Sequence, residues 1–182
     1  MKKPITTIIF VLFSILSGGC SAGCDHMQER PAGQSDVIAL ACDPIPVVRV
    51  GFIGLGMRGI GAVERFMHLD SVEVVALCDL EAENLARSQA VLREKAKPEA
   101  AEYMGPEGWK RLCERPDIDL VYISTDWLSH TPMAVYAMEQ GKHVAVEVPA
   151  AVTVEECWKL VDTAEKTRRH CMMLENCCYD FF

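Results

Sequence analysis

The chain has 182 residues, of which 50% are apolar and 24% are charged, a composition that supports a globular domain with a sizeable core. Its formal net charge is −8, and its few basic clusters, such as residues 166–169, are typical of a solvated helix end. Nucleic-acid binding requires a basic surface, so we expect no nucleic-acid partner.

The first twenty residues differ from the rest of the chain. Lys2 and Lys3 precede an apolar run from Ile5 to Leu16, and small residues then lead to Cys20. The run is too short for a confident transmembrane helix, so residues 1–20 are predicted to be a secretory signal peptide. An uncut membrane anchor is the alternative.

A cysteine after small residues also resembles a bacterial lipoprotein cleavage site, where the cysteine becomes lipid-modified. Leu16 lies four places before Cys20 instead of the usual three, and Cys24 is a second candidate. We therefore expect an exported bacterial protein of the periplasm or cell envelope, with a possible lipid anchor in the membrane at Cys20 or Cys24. Residues 21–46 contain many Gly, Pro and Ser and are predicted to form a flexible tether.

The cysteines do not indicate a metal site. The chain has 9 of them, but they form no C-x-x-C pair and no Cys/His cluster with zinc-binding spacing. Cys78, Cys157 and Cys171 lie inside apolar patterns and are predicted to be small core residues.

From Val47 on, β-branched apolar runs alternate with amphipathic segments. Such alternation predicts right-handed βαβ crossovers and an α/β fold with a doubly wound parallel sheet. The predicted strands are 47–53, 72–78, 120–124, 144–148 and 171–174. Five helices are predicted. The first follows the first strand and has Ile60, Val63, Phe66 and Met67 on one face, and the next two span 81–96 and 106–113. The fourth begins with an N-cap at Thr131 and Pro132 as its first residue and ends at a cap at Gly141, and the fifth begins with a capping box at 153–156.

The strongest motif is a G-x-G-x-x-G sequence that follows the first strand and opens a helix. Gly54 permits the tight turn, Gly56 lets the backbone approach a pyrophosphate, and Gly59 lets the helix pack closely on the strand. The helix N-terminus offers free N–H groups to the phosphates. Asp79 ends the next strand, where a carboxylate can bind the adenosine ribose hydroxyls and repel a 2′-phosphate. The motif therefore predicts a Rossmann domain with NAD as cofactor.

The segment from Val48 to Tyr179 resembles the glucose–fructose oxidoreductase/inositol dehydrogenase (Gfo/Idh/MocA) superfamily. Within it, the chain is most similar to glycoside hydrolase family 109, the NAD-dependent α-N-acetylgalactosaminidases. The matching motifs are Gly54-Leu55-Gly56-Met57-Arg58-Gly59, Trp127-Leu128-Ser129-His130, Glu147-Val148-Pro149-Ala150-Ala151 and Met173-Leu174-Glu175-Asn176-Cys177-Cys178-Tyr179.

The resemblance implies a set of cofactor contacts. The pyrophosphate turn would include Met57 and Arg58, and Asp79 would hold the ribose. Further residues would flank the cofactor or lie near its nicotinamide end, namely Trp127, Leu128, Ser129, His130, Glu147, Val148 and Asn176. Tyr179 could reach the sugar substrate. Each of these side chains also has a simpler interpretation as a packing, surface or turn residue.

One position departs from the superfamily pattern. Its dehydrogenases typically carry Glu-Lys-Pro, in which the lysine contacts the reacting hydroxyl, whereas this chain has Glu147-Val148-Pro149. Valine has no proton to exchange, so the hydrolase family is favoured. In its mechanism, NAD⁺ takes a hydride from carbon 3 of a terminal N-acetylgalactosamine, the group on carbon 1 is eliminated, water adds, and the hydride returns.

The superfamily also implies a C-terminal α+β substrate domain. We predict an NAD-binding Rossmann domain over residues 47–176 and the start of that second domain over residues 177–182, with its remainder missing. The acid–base residues would lie mainly in the missing part, so no catalytic residue is assigned and this fragment alone is expected to be inactive. Two other functions remain open: part of an NAD-dependent sugar or inositol dehydrogenase, and a non-catalytic nucleotide-binding fragment.

Overall fold

The computed structural model describes residues 30–175. The predicted signal peptide, Cys20, Cys24, Asn176 and Tyr179 lie outside the described residues. The chain divides into two units, residues 1–34 and residues 35–182. Of the first unit only residues 30–34 are described, and they form a turn in which the Gln34 N–H donates to the Pro31 carbonyl at 3.0 Å.

The second unit is built on a parallel sheet. Its strands are β1 (Val48–Ile53), β2 (Val72–Asp79), β3 (Ala101–Met104), β4 (Leu120–Ile123), β5 (His143–Glu147) and β6 (Cys171–Leu174). They lie in the order β3-β2-β1-β4-β5-β6, and every neighbouring pair is parallel. The predicted α/β doubly wound fold is confirmed. The order reverses between β1 and β4, the place where ligands bind in such sheets.

Helices connect the strands. They are α1 (Met57–Phe66), α2 (Ala82–Glu94), α3 (Gly108–Cys113), α4 (Trp127–Glu139) and α5 (Val154–Thr167). One buried cluster joins strand residues such as Phe52 and Leu77 to Val63 of α1 and Leu92 of α2. A second cluster joins the alternate strand residues to α3, α4 and α5. Both sheet faces are therefore covered by helices, as the apolar runs of the strands require.

Two elements differ from the sequence predictions. The short edge strand β3 was not predicted, because its mostly exposed residues show no apolar run. Helix α4 begins at Trp127 and not at Thr131, so the predicted cap at Thr131 is wrong. Asp126 is the N-cap, and Pro132 lies inside the helix. The N–H that proline lacks would have bonded to Leu128, which is exposed to solvent, so the loss costs little.

The predicted caps at Gly141 and Thr153 are confirmed, whereas the helices predicted over 81–96 and 106–113 are shorter, at Ala82–Glu94 and Gly108–Cys113. Gly141 follows α4 with a φ of +79°, the left-handed conformation that glycine adopts easily. At the start of α5, the Thr153 hydroxyl accepts the Glu156 N–H at 3.2 Å. The Glu156 carboxylate accepts the N–H of Val152, one residue earlier than in the usual capping box.

The cysteines are only partly placed as predicted. Cys78 is buried and Cys171 packs against the core, but Cys157 is exposed on α5, so its predicted core position is wrong. Burial raises the pKa of the Cys78 thiol to about 12, and the nearby Asp79 carboxylate adds to this. Within residues 30–175 no helix is long and apolar enough to cross a membrane, and no group of His, Cys, Asp and Glu is arranged to hold a metal ion.

Residues 35–37, which begin the second unit, contact the C-terminal end of α5. Arg168, which has a positive φ of 55°, donates from Nη1 to the carbonyls of Ser35 and Asp36 at 2.9 and 2.8 Å. Val37 packs against the core cluster that contains α5. The C-terminal ends of the helices and the amino ends of the strands share one edge in such a sheet. This segment of the predicted tether thus contacts the domain away from the carboxyl ends of the strands.

Candidate cofactor-binding site

The glycine motif forms the turn between β1 and α1. Gly54 has a φ of +85°, and a Cβ there would lie 2.5 Å from the Ser124 carbonyl oxygen. A Cβ on Gly59 would lie 1.9 Å from the Gly54 carbonyl oxygen, so only glycine allows the helix to approach the turn this closely. A Cβ on Gly56 would meet nothing within 4 Å. The space above Gly56 is open, which fits the close approach of a phosphate.

The N-terminus of α1 points into this open space. Its N-cap is Gly56, which has no side chain to bond to the first turn. The Ile60 N–H donates to the Gly56 carbonyl at 3.0 Å. The N–H groups of Met57, Arg58 and Gly59 precede this first helical bond and therefore need another acceptor. An anionic group at this helix end would satisfy them and interact favourably with the helix dipole.

Asp79 lies at the carboxyl end of β2 and supports the same turn. Its Oδ2 accepts the Leu55 N–H at 2.6 Å, and its Oδ1 accepts the Glu81 N–H at 2.9 Å and the Asn84 side-chain N–H at 3.0 Å. A carboxylate has lone pairs for about four such bonds. Asp79 thus holds the glycine turn and keeps capacity for a ligand hydroxyl.

Asp79 also lines a cavity of about 540 Å³, here called the Asp79 cavity. Its lining combines the glycine turn, the ends of β2 and β3, and the first turn of α4. It includes Gly54, Gly56, Asp79, Trp109, Ser124, Thr125, Asp126, Ser129 and Met133. A cavity lined by apolar side chains such as Trp109 and Met133 and by the Asp79 carboxylate has the chemistry to bind a flat base and a ribose.

A second cavity of about 400 Å³ adjoins the first, since both are lined by Ser124 and Thr125. It is called here the Glu147 cavity. Its other lining residues are Arg58, Trp127, His130, Glu147, Val148 and Glu175. The two cavities follow the carboxyl edge of the sheet from β2 past β1 and β4 to β5, which is the path an extended dinucleotide takes across a switch point.

Glu147 is held in place by Tyr122. The Tyr122 hydroxyl donates to Glu147 Oε1 at 2.7 Å. Tyr122 is buried and its ring is stacked on Phe52, with ring centroids 5.0 Å apart. Burial raises the pKa of the Tyr122 hydroxyl, and the bond to Glu147 raises it further. The hydroxyl therefore stays protonated and acts as a fixed donor to the carboxylate.

Asp126 caps the helix that carries Trp127 and His130. Its Oδ1 accepts the N–H groups of Leu128 and Ser129 at 3.1 and 3.2 Å, and its Oδ2 accepts the Ser129 hydroxyl at 2.6 Å. These bonds, led by that of the Ser129 hydroxyl, lower the pKa of the Asp126 carboxyl. The cap fixes the direction in which the first turn of α4 enters the site.

The predicted contact residues fall into three groups. Four of them line the Asp79 cavity, namely Gly54, Gly56, Asp79 and Ser129. Five line the Glu147 cavity, namely Arg58, Trp127, His130, Glu147 and Val148. Gly59 is buried beneath the turn, whereas Met57 and Leu128 are exposed and line neither cavity. The cofactor contacts of these residues remain predictions.

Sequence reasoning missed several residues of the site. Ser124 follows β4, and its hydroxyl donates to the Gly54 carbonyl at 2.8 Å, which links the two strands at the switch point. Tyr122 and Asp126 were also missed. A polar ring inside an apolar strand, and an aspartate three residues before a serine at a helix start, were the available signals.

The comparisons with known proteins agree with this geometry. Residues 48–175 match the Gfo/Idh/MocA family, described as an oxidoreductase family with an NAD-binding Rossmann fold. The chain belongs to this family. Residues 48–175 form an NAD-binding Rossmann domain, as the sequence predicted.

The curated relatives carry the name of the predicted hydrolase family. An alpha-N-acetylgalactosaminidase of Bacteroides fragilis is 64% identical over 153 residues, which are 84% of this chain and 36% of the relative. Glycosyl hydrolase family 109 protein 1 of B. fragilis strain YCH46 is 63% identical over 176 residues, which are 94% of this chain and 38% of the relative. The chain thus spans little more than a third of the length of these relatives.

Among solved structures, myo-inositol dehydrogenase of Lactobacillus casei, determined in complex with NAD(H) and myo-inositol, is 30% identical with a TM-score of 0.55. The match covers 64% of this chain and 33% of that one.

Proposed function

We propose that this chain is the NAD-binding part of a glycoside hydrolase that releases terminal α-linked N-acetylgalactosamine. The observation that carries the proposal is the 64% identity to an alpha-N-acetylgalactosaminidase across nearly all of the cofactor domain. The identity to the myo-inositol dehydrogenase of L. casei is much lower, at 30%. The activity itself belongs to a protein longer than this chain, since the relative is more than twice as long.

The chemistry of the Glu147 cavity supports a hydrolase over a dehydrogenase. Val148 lines this cavity and is 39% exposed, at the position where the superfamily's dehydrogenases are expected to carry lysine. An apolar side chain can neither bind a sugar hydroxyl nor move a proton. The position therefore departs from the dehydrogenase pattern, and in the proposed mechanism another group of the full-length protein must take the proton of the oxidised hydroxyl.

In the proposed mechanism, each end of the site has a separate task. The N-terminus of α1 would hold the pyrophosphate, and Asp79 the adenosine ribose. The Glu147 cavity would place the nicotinamide ring against the sugar. Bound NAD⁺ would supply a reversible hydride acceptor for carbon 3, while basic groups of the full-length protein would take the proton of the 3-hydroxyl and then the proton of carbon 2 as the group on carbon 1 leaves. Water would add its oxygen to carbon 1 and a proton to carbon 2, and the hydride and the hydroxyl proton would then return, so that no net redox change occurs.

The test uses the full-length protein and a chromogenic α-N-acetylgalactosaminide. We expect release of the chromophore without any net change in NADH absorbance, and incorporation of solvent deuterium at carbon 2 of the sugar. A substrate methylated on the 3-hydroxyl should not be cleaved, because it cannot be oxidised at carbon 3. Cleavage of the methylated substrate, or full activity after complete removal of NAD, would show that the mechanism is wrong.

The same experiment addresses the two alternatives. Stoichiometric production of NADH from a free sugar or inositol would identify a dehydrogenase. Binding of NAD with no reaction on either kind of substrate would identify a non-catalytic nucleotide-binding protein.

We also propose that the protein is exported and held at the bacterial cell envelope. The basic, apolar and small-residue segments that lead to Cys20 and Cys24 support this. A mechanism that returns its cofactor to the starting state suits a compartment where NAD is not regenerated.

A further inference from the structure

Two consecutive residues of α4 hold the segment that follows β5. His130 Nδ1 lies 2.7 Å from the Pro149 carbonyl oxygen, and the Thr131 hydroxyl donates to the Ala150 carbonyl at 2.9 Å. Both side chains are buried, with relative exposures of 1% and 2%. We call this pair of bonds the α4 clasp.

The clasp fixes the state of the His130 ring. A carbonyl oxygen can only accept a hydrogen bond, so Nδ1 must carry the proton and donate it. Nε2 is buried and has no hydrogen-bond partner within the part of the chain that the structure describes. The ring is therefore oriented by one bond, the one to the backbone after β5.

The clasped backbone leads directly to the Glu147 cavity. Glu147 and Val148 line that cavity immediately before Pro149, and His130 lines it as well. Glu147 is held on its other side by Tyr122, so the segment is fixed at both ends. The Pro149–Ala150 backbone thus adjoins the wall of the Glu147 cavity, whereas neither residue lines the Asp79 cavity.

We propose that His130 and Thr131 are positioning residues, which hold the backbone after β5 so that Glu147 and Val148 form the wall of the nicotinamide subsite. The inference rests on the proposed function, in which the Glu147 cavity receives the nicotinamide end of NAD. The preference of this subsite for NAD over ADP-ribose then depends on two residues that act through the backbone carbonyls of Pro149 and Ala150.

The test compares NAD with ADP-ribose, which lacks only the nicotinamide. The full 182-residue chain is measured by calorimetry with each ligand. Thr131→Val keeps the shape and removes the hydroxyl donor, whereas Thr131→Ser keeps the donor. At His130, asparagine places an N–H where Nδ1 lies and glutamine places one near Nε2, so His130→Asn preserves the bond to Pro149 and His130→Gln does not.

We expect Thr131→Val and His130→Gln to reduce the preference for NAD over ADP-ribose roughly three- to tenfold, because each leaves a partly buried carbonyl without its donor. The affinity for ADP-ribose should not change. Thr131→Ser and His130→Asn should restore the preference. Thr167→Val is the matched control, since it removes a 2.7 Å bond from a threonine hydroxyl to a backbone carbonyl at the end of α5 and should leave both affinities unchanged.

Three results would overturn the inference. One is an unchanged preference in Thr131→Val and His130→Gln, and another is an equal loss of both ligands, which would indicate a general effect on folding. The third is an original chain that binds ADP-ribose as tightly as NAD, so that no nicotinamide subsite exists. An original chain that binds neither ligand would contradict the proposed function itself.

Discussion

Gly56 and Gly59 are the same residue type for different physical reasons. Gly59 is required by packing, because its Cβ would overlap the Gly54 carbonyl, whereas the space at Gly56 is open and its φ of −64° is allowed for any residue. Substitution by alanine separates the role in folding from the role in binding.

We expect Gly59→Ala to destabilise the domain by about 3 kcal/mol or more, since backbone atoms must move to relieve the overlap. Gly56→Ala should change the free energy of unfolding by less than about 1 kcal/mol but weaken NAD binding at least about tenfold, because the new methyl group occupies the place of the pyrophosphate. Denaturant unfolding and calorimetry measure the two effects. Tight NAD binding by Gly56→Ala would contradict the assignment of the phosphate subsite.

Asp79 combines a structural and a ligand-binding role. We expect Asp79→Asn to weaken NAD binding about tenfold and to reduce the preference for NAD over NADP, because the charge that repels a 2′-phosphate is lost. Asn84→Ala is the control, since it removes a bond to the Asp79 carboxylate and leaves its charge. Calorimetry with both cofactors measures the preference. If Asp79→Asn changed both affinities by the same factor, Asp79 would have only the structural role.

At the scale of elements, α4 shows how a local signal can mislead. Thr131 followed by proline has the form of a helix start, but Asp126 offers a stronger cap one turn earlier. Asp126 accepts two backbone N–H groups and the Ser129 hydroxyl, whereas the Thr131 hydroxyl donates to the segment after β5. The Thr131 side chain, which the local pattern assigned to a helix cap, thus makes a contact with the Ala150 carbonyl instead.

The Asp126 cap predicts a dependence of stability on pH. The folded protein lowers the pKa of this carboxyl from its ordinary value of 3.8, so the cap stabilises the fold above about pH 4 and this contribution is lost as the pH falls through the lowered value. Asn is also a good cap but carries no charge.

We expect the original protein to have a free energy of unfolding about 0.5 kcal/mol larger than that of the Asp126→Asn variant near pH 6. The difference is small because the carboxylate is well solvated. The difference should shrink as the pH falls through the lowered pKa and the carboxylate becomes protonated. Denaturant unfolding across this range measures the difference. A difference that grew as the pH fell would have the wrong sign for a charged cap.

At the scale of the whole molecule, the cofactor site lies at the carboxyl edge of the sheet, while residues 35–37 contact the C-terminal end of α5.

We predict that the lipid anchor is attached at Cys20, with Cys24 as the second candidate. Radiolabelled palmitate should be incorporated into the protein in bacterial cells. Cys20→Ala should abolish the labelling while Cys24→Ala retains it. The reverse result would assign the lipid to Cys24, and labelling of the double variant would show that neither cysteine carries the lipid.

The local sequence determined much of the fold, because the formation of strands, turns and helix caps depends on interactions between residues that are close in the chain. The apolar runs of β1, β2, β4, β5 and β6, the glycine turn and the Thr153 cap each depend on neighbouring residues, and all were predicted to within about two residues of their bounds. Asp79 was found in the same way, from its distance to the glycine motif.

The tertiary structure decided which polar side chains meet. The edge strand β3 is held by pairing with β2, which an exposed four-residue sequence does not reveal. The Tyr122–Glu147 bond joins residues on β4 and β5, and the α4 clasp joins a helix to the segment after β5. These contacts depend on the register of parallel strands and on where α4 begins, so no local pattern could have specified them.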